Sequence, residues 1–155
     1  IFCIVLARFI MPASFTPLVA IAVFMPFITN NKRLQLFLPV SLLLITDLAL
    51  GFYGTTMLFV YGTMLLIGLL SRFLHKESIQ ALWVNSFLSV VLWHAVVNFG
   101  VYVTGLGTQS LAQTYLLAIP FDLKLMASTL LFSSMLYGSR YLIKESSYIG
   151  NKGIS

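Results

Sequence analysis

Charge is what this sequence has least of. Of its 155 residues, nine are Lys or Arg and four are Asp or Glu, so 8% are charged while 59% are apolar. An average soluble domain is roughly 25% charged, and thirteen ionic side chains cannot keep the surface of a soluble fold wet. The shortage excludes soluble enzymes, nucleic-acid binders and disordered tails, and predicts an integral membrane protein. Cysteine is nearly missing too. Cys3 stands alone, which excludes a disulfide framework and a cysteine metal site. The net charge of +5 is scattered and forms no basic patch, so nucleic acid is not expected as a partner. Gly-rich phosphate loops, His-Glu-x-x-His and Gly-x-Ser-x-Gly are all absent. The chain is therefore read as no enzyme, with no catalytic residue, metal or cofactor.

Long apolar runs are what the sequence has instead. A spanning helix needs about 20 mostly apolar residues. Six runs predict an all-α polytopic bundle, with spans over 1–10, 15–29, 34–52, 55–71, 79–104 and 120–143. They form a single transmembrane domain over 1–144, followed by a polar cytoplasmic tail over 145–155. The chain opens at Ile1 inside an apolar run, so 1–10 is expected to be the second half of a spanning helix. It lacks the basic front and small-residue cleavage site of a signal peptide. The second run is short, with Pro17 and Pro26 stiffening its ends. Residues 108–143 would overshoot a bilayer at about 1.5 Å per residue. A break at Pro120 is expected there, leaving 108–119 as an interfacial helix or lid.

Charge placement gives an independent reading of topology. With six spans, one side holds Lys32 and Arg33, Arg72 and Lys76, then Arg140, Lys144 and Lys152. The opposite connections hold no Lys or Arg. The positive-inside rule makes the cationic side cytoplasmic, and both termini with it.

A few polar residues remain inside the spans. Arg8, Asp47, His94, Asn98, Asp122 and Lys124 all fall in the outer half, with Thr16 and Tyr53 at the same level. An ionisable group at the bilayer centre costs roughly 2.5–3.5 kcal/mol on insertion scales, so such residues usually face the bundle interior. Asp47 lies about 21 Å along its span from Arg33 at 1.5 Å per residue. His94 and Asn98 are four residues apart and share a helix face. Together these eight residues form a candidate polar pocket or network open to the outside. Each also has a purely structural reading. Arg8 and Asp47 can simply pair, Lys124 can snorkel, and Asp122 suits a helix first turn. His94 reads as a hydrogen-bonded core histidine, Asn98 as an interhelical clamp, and His75 as solvated. Gly51, Gly54, Gly62, Gly68 and the Ser134/Gly138 pair predict close helix packing. Phe52, Tyr53, Tyr102, Tyr115, Tyr137 and Tyr141 predict interfacial belts.

Several segments carry a resemblance. They are Ser14-Phe15-Thr16-Pro17, Thr46-Asp47-Leu48-Ala49-Leu50-Gly51-Phe52-Tyr53, Val60-Tyr61-Gly62, Asn98-Phe99-Gly100-Val101-Tyr102 and Ala118-Ile119-Pro120-Phe121. In this order and spacing the chain resembles a family of small bacterial membrane proteins of unknown function. It departs from the pattern at Met11–Ser14, Thr46 and Tyr53, where that family carries a His/Pro/Asn-rich lead, Ser and His. More distantly, the layout is similar to the substrate-binding S components of energy-coupling-factor vitamin transporters. That likeness implies six helices in a bacterial plasma membrane and a ligand pocket opening outward. The leading expectation is a transporter subunit binding a small polar ligand, with Arg8, Asp47, His94 and Asn98 as the pocket. The competing expectation is an accessory subunit of a larger membrane complex, with the polar cluster as a structural network. Membrane lipids are expected partners in either case.

Overall fold

The computed structural model describes Ile10 and residues 14–152, with side chains as far as Ile143. Five helices account for most of the described residues: α1 (Leu18–Ile28), α2 (Lys32–Leu50), α3 (Thr56–Phe73), α4 (Ile79–Val103) and α5 (Leu111–Lys152). No strand occurs among the described residues. Four of the helices, α2 to α5, are long and apolar enough to cross a membrane. Residues 1–9, which carry most of the first expected span, lie outside the described residues.

The short helix is the centre of the bundle. Leu18 through Phe27 are all buried, and α1 packs against each of the other four helices. Its sequence carries no polar side chain, and a helix apolar all round has no face to offer water. At roughly 1.5 Å per residue it is about 16 Å long, half a bilayer core. Its N-terminal end lies inside the protein, preceded by half-buried Ser14, Phe15 and Thr16, and its C-terminal end comes out among exposed Ile28, Asn30 and Asn31. At the N-terminal end Ser128 Oγ of α5 lies 3.3 Å from the Thr16 carbonyl and 2.9 Å from the Leu125 carbonyl of its own helix, which share its one hydrogen. At the C-terminal end Gln35 Nε2 of α2 donates to the Thr29 carbonyl at 2.6 Å. Asn31 then opens α2 by accepting from the N–H groups of Arg33 and Leu34.

Around this rod the outer helices alternate in direction. Ser71 meets Asn85 near one end of the α3–α4 pair, and Thr56 meets Thr104 near the other. Trp83–Ser134, Ser86–Ser133 and His94–Asp122 align α4 antiparallel to α5. Residues 51–55 and 104–110 thus share one end with Thr16. The other end gathers 29–31, 74–78 and Arg140. Lys32, Arg33, Arg72, Lys76 and Arg140 all belong to the second end. Arg140 Nη1 and Nη2 donate to Glu77 at 2.5 and 3.2 Å, closing it off.

The bundle is apolar outside and mildly polar between its helices. Phe37, Leu48, Leu58, Phe87 and Leu131 are exposed, while Thr46, Thr63, Asn85, Ser86, Ser128 and Thr129 are buried. Small hydroxyl residues let helices approach closely and satisfy themselves on their own backbone. Thr46 donates to Leu43 O, Thr63 to Phe59 O and Ser71 to Ile67 O.

Two expectations need correction. Helix α5 runs unbroken through Pro120, so 108–119 is no separate interfacial helix. Proline forfeits one backbone bond, to the Leu116 carbonyl. Contacts on both sides of it hold the helix against α4: Tyr115 Oη donates to Ala95 O at 2.6 Å, and Asp122 meets His94. The expected glycine packing is also redistributed. Gly62 and Gly138 face open space, whereas Gly68 packs on Leu36 and Gly100 lies against the Phe59 ring.

A Cβ at Gly100 would sit 2.4 Å from Phe59 Cγ. Gly100→Ala should therefore destabilise the bundle by about 1–3 kcal/mol, read as a lowered unfolding midpoint in detergent. Gln35→Leu removes the donor to Thr29 O and should cost about 1–3 kcal/mol by the same measurement, through the orphaned carbonyl.

Candidate functional site

A cavity of about 290 Å³ lies where the N-terminus of α1 meets α3 and α4. Its wall is mainly apolar, from residues such as Leu43, Val60, Met64, Trp93, Val97 and Leu125. Four hydroxyl residues interrupt it: Ser14, Thr16, Tyr53 and Thr56. Leu18 and Val19, in the first turn of α1, complete one side. Pro17 at the cap position has no side-chain oxygen to offer that turn. The turn thus brings the positive end of a helix dipole to the cavity. Ser14 itself has φ +67°, in the left-handed region that a non-glycine residue adopts at some energetic cost.

The polarity of the hydroxyls is set from behind the wall. Asp47 is fully buried, and its Oδ2 accepts from Tyr53 Oη at 3.3 Å and Tyr61 Oη at 2.9 Å. A phenol whose hydrogen is donated to a carboxylate keeps only acceptor capacity. Tyr53 therefore meets any further partner as an acceptor. Thr56 reaches the same state by another route. Its Oγ1 lies 2.6 Å from Thr104 Oγ1, whose own proton goes to Gly100 O at 2.7 Å. The hydrogen between the two hydroxyls must come from Thr56, leaving the Thr56 oxygen as an acceptor.

A second polar cluster sits elsewhere, between α4 and α5. Asp122 Oδ2 lies 2.7 Å from His94 Nδ1 and accepts from Asn98 Nδ2 at 3.2 Å. Asn98 Nδ2 also reaches the His94 carbonyl at 2.9 Å, and Tyr115 stands edge-on to the imidazole at 5.2 Å. With a hydrogen on Nδ1, the ring donates it to the carboxylate. His94 and Asp122 border a shallow groove of about 200 Å³ with Val90, Val91, Ile119 and Leu123. That groove opens on the outer surface of the helix pair.

The eight residues singled out in the sequence are thus divided. Thr16 and Tyr53 line the central cavity, and Asp47 stands behind Tyr53. His94, Asn98 and Asp122 form the α4–α5 cluster. Lys124 is exposed, 5.7 Å from the Phe121 ring centre, as a snorkelling lysine would be. Arg8 lies outside the described residues. Residues 108–119 contribute nothing to the cavity wall, where Leu106 takes the place expected of a lid. Tyr61, Thr56 and Thr104 are not among the eight candidates from the sequence, because a hydroxyl in an apolar run carries no signal of its partner. Among the described residues no group of three or more His, Cys, Asp or Glu side chains could hold a metal ion.

Neither the curated proteins nor the solved structures yield a match to this chain. A protein-family model does match, over residues 1–150, and the chain belongs to that family, described as a family of unknown function (DUF6580).

Proposed function

We propose that this is a six-span protein of the bacterial plasma membrane, both termini cytoplasmic, that binds a small ligand in the α1 cavity as a transporter subunit. The gathering of Lys32, Arg33, Arg72, Lys76 and Arg140 at the opposite end supports an outward-facing cavity. One observation carries the reading: a half-length buried helix starts at a cavity where two of the four hydroxyls, Tyr53 and Thr56, already donate their hydrogens elsewhere. Half-helices whose N-termini meet a cavity at membrane depth are a recurring way to hold polar substrate groups. The ligand that fits has a compact apolar body, a hydrogen-bond donor for Tyr53 and Thr56, and an oxygen for the first turn of α1. A volume of about 290 Å³ places it at the small end of ligand sites. This likeness of plan supports the resemblance to S components, and the Thr46–Tyr53 and Asn98–Tyr102 segments supply Asp47, Tyr53 and Gly100 to it.

A second reading has one observation in its favour. At 42 residues, α5 is about 63 Å long at 1.5 Å per residue, twice a bilayer core. Its surplus turns suit an accessory subunit that docks on a larger membrane complex.

The test is the small-molecule content of protein purified in mild detergent and denatured for untargeted mass spectrometry. The native chain should release one compound in near-stoichiometric amount. Val97→Phe, which fills the cavity, should abolish it, and Tyr53→Phe should lower occupancy at limiting ligand about tenfold, as loss of one acceptor worth about 1.4 kcal/mol implies. Equal content in all three proteins defeats the ligand reading, and a stoichiometric large partner without a small molecule favours the second. The α4–α5 cluster should behave differently. His94→Ala should destabilise the protein by about 1–3 kcal/mol, by depriving Asp122 of a partner, and leave compound occupancy in the folded fraction unchanged.

A further inference from the structure

The α4–α5 pair carries a second concavity, on the face turned away from α1. Between Trp83, Val84, Phe87, Leu130 and Leu131 runs an almost wholly apolar groove of about 660 Å³. Trp83 Nε1 donates to Ser134 Oγ at 2.9 Å and ties the two helices at one end of it. On α5, Leu130, Ser134, Tyr137 and Tyr141 follow at helical spacing on one face. The stripe therefore leads from the apolar groove to a polar recess of about 470 Å³ formed by Tyr137, Tyr141, Arg140 and Glu77. An apolar channel ending in a polar recess, at the cationic end of a membrane bundle, has the polarity profile of a phospholipid.

The charges in the recess decide which headgroup fits. Arg140 and Glu77 form an ion pair with side chains 39% and 60% exposed, so together they contribute no net charge. An anionic headgroup would meet the Glu77 carboxylate, and a purely cationic one the Arg140 guanidinium. A zwitterion meets both. Glu77 engages two of the five guanidinium N–H donors, leaving others for a phosphate. A primary ammonium brings three N–H donors to the carboxylate, where a quaternary ammonium brings none. Phe27 packs on Arg140 at 5.8 Å and His75 lies 3.7 Å from Glu77, so both charged groups are held in position. Among the described side chains, His75, Tyr137 and Tyr141 are the other titratable groups beside the pair.

We propose that the α4–α5 groove and the Glu77–Arg140 recess form one binding site for a glycerophospholipid with an ethanolamine headgroup. The acyl chain lies along Trp83, Val84, Phe87 and Leu131, the phosphate on Arg140 and the ammonium on Glu77. The site rests on the reading of the chain as membrane-spanning, and it is independent of any ligand in the α1 cavity.

Native mass spectrometry of delipidated protein, given ethanolamine, choline or glycerol phospholipids with identical acyl chains, tests it. The ethanolamine lipid should be retained about tenfold better than either of the others, a difference of about 1.4 kcal/mol. Glu77→Gln and Arg140→Gln should each remove that preference. Because these two also uncouple the helix ends, Val84→Trp provides a separate variant that obstructs the groove and leaves the ion pair intact. It too should lose the lipid, at an unchanged unfolding midpoint. Equal retention of the three lipids, preference for the glycerol headgroup, or retention by Val84→Trp would each overturn the proposal. Compound occupancy of the α1 cavity, measured on the same samples, keeps the two readings apart.

Discussion

The structure depends on burying a helix that has no polar face and is about half a bilayer core in length. A peptide group without a partner in an apolar environment costs several kcal/mol. The N-terminal end of α1 stops within the bundle beside the cavity, whereas its C-terminal end comes out among exposed Ile28, Asn30 and Asn31 at the cationic end. Buried Gln35 turns its amide to the Thr29 carbonyl, and buried Ser128 shares its hydrogen between the Leu125 and Thr16 carbonyls. The short length of α1 also explains why the cavity lies where it does. A full-length central helix would fill the axis of the bundle, whereas a half-length one leaves room beyond its first turn.

The same constraint orders the charges. In the described interior and at its rim, each acid has specific partners: Asp47 two phenols, Asp122 a histidine and an amide, Glu77 a guanidinium. Burying one member alone would cost more than burying the set. The three acids stand in three separate clusters, each hydrogen-bonded, and at Glu77 the partner is itself a cation. They also hold different parts together. The first fixes α2 to the start of α3, the second clamps α4 to α5 around Pro120, and the third ties the α3–α4 connection to α5 at the cationic end.

Much of this was readable in the residues, and the limits have a physical cause. Apolar length placed α2, α3 and α4 within two residues of their observed ends, and charge placement sorted the two ends of the bundle. Depth could be computed because the rise per residue is fixed. Azimuth could not. In a membrane helix the lipid-facing and core-facing sides are both apolar, so periodicity barely marks which way a residue points. Asp47 and His94 were assigned to one depth and one pocket, yet they belong to different helix pairs and different clusters. Pro120 failed as a boundary for a related reason. Its one lost bond is small beside the contacts of Tyr115 and Asp122 with α4, which no local pattern records. Gly100 was passed over because the closeness it permits is defined by Phe59, forty-one residues away in sequence.

The eight residues picked for polarity alone acquire distinct jobs once their hydrogens are followed. Tyr53 and Thr56 face the cavity, but neither decides what it offers there. Asp47 takes the Tyr53 proton, and the Gly100 carbonyl, by taking the Thr104 proton, obliges Thr56 to give up its own. A hydroxyl free to rotate would accept or donate as a ligand required and would discriminate little. Held in one sense, it rejects a group that also needs a donor, because two acceptors then face each other without a proton between them. The hydrogen-bonding character of this cavity is therefore set one layer behind its surface. Asp47, which fixes the Tyr53 hydroxyl, is itself fully buried.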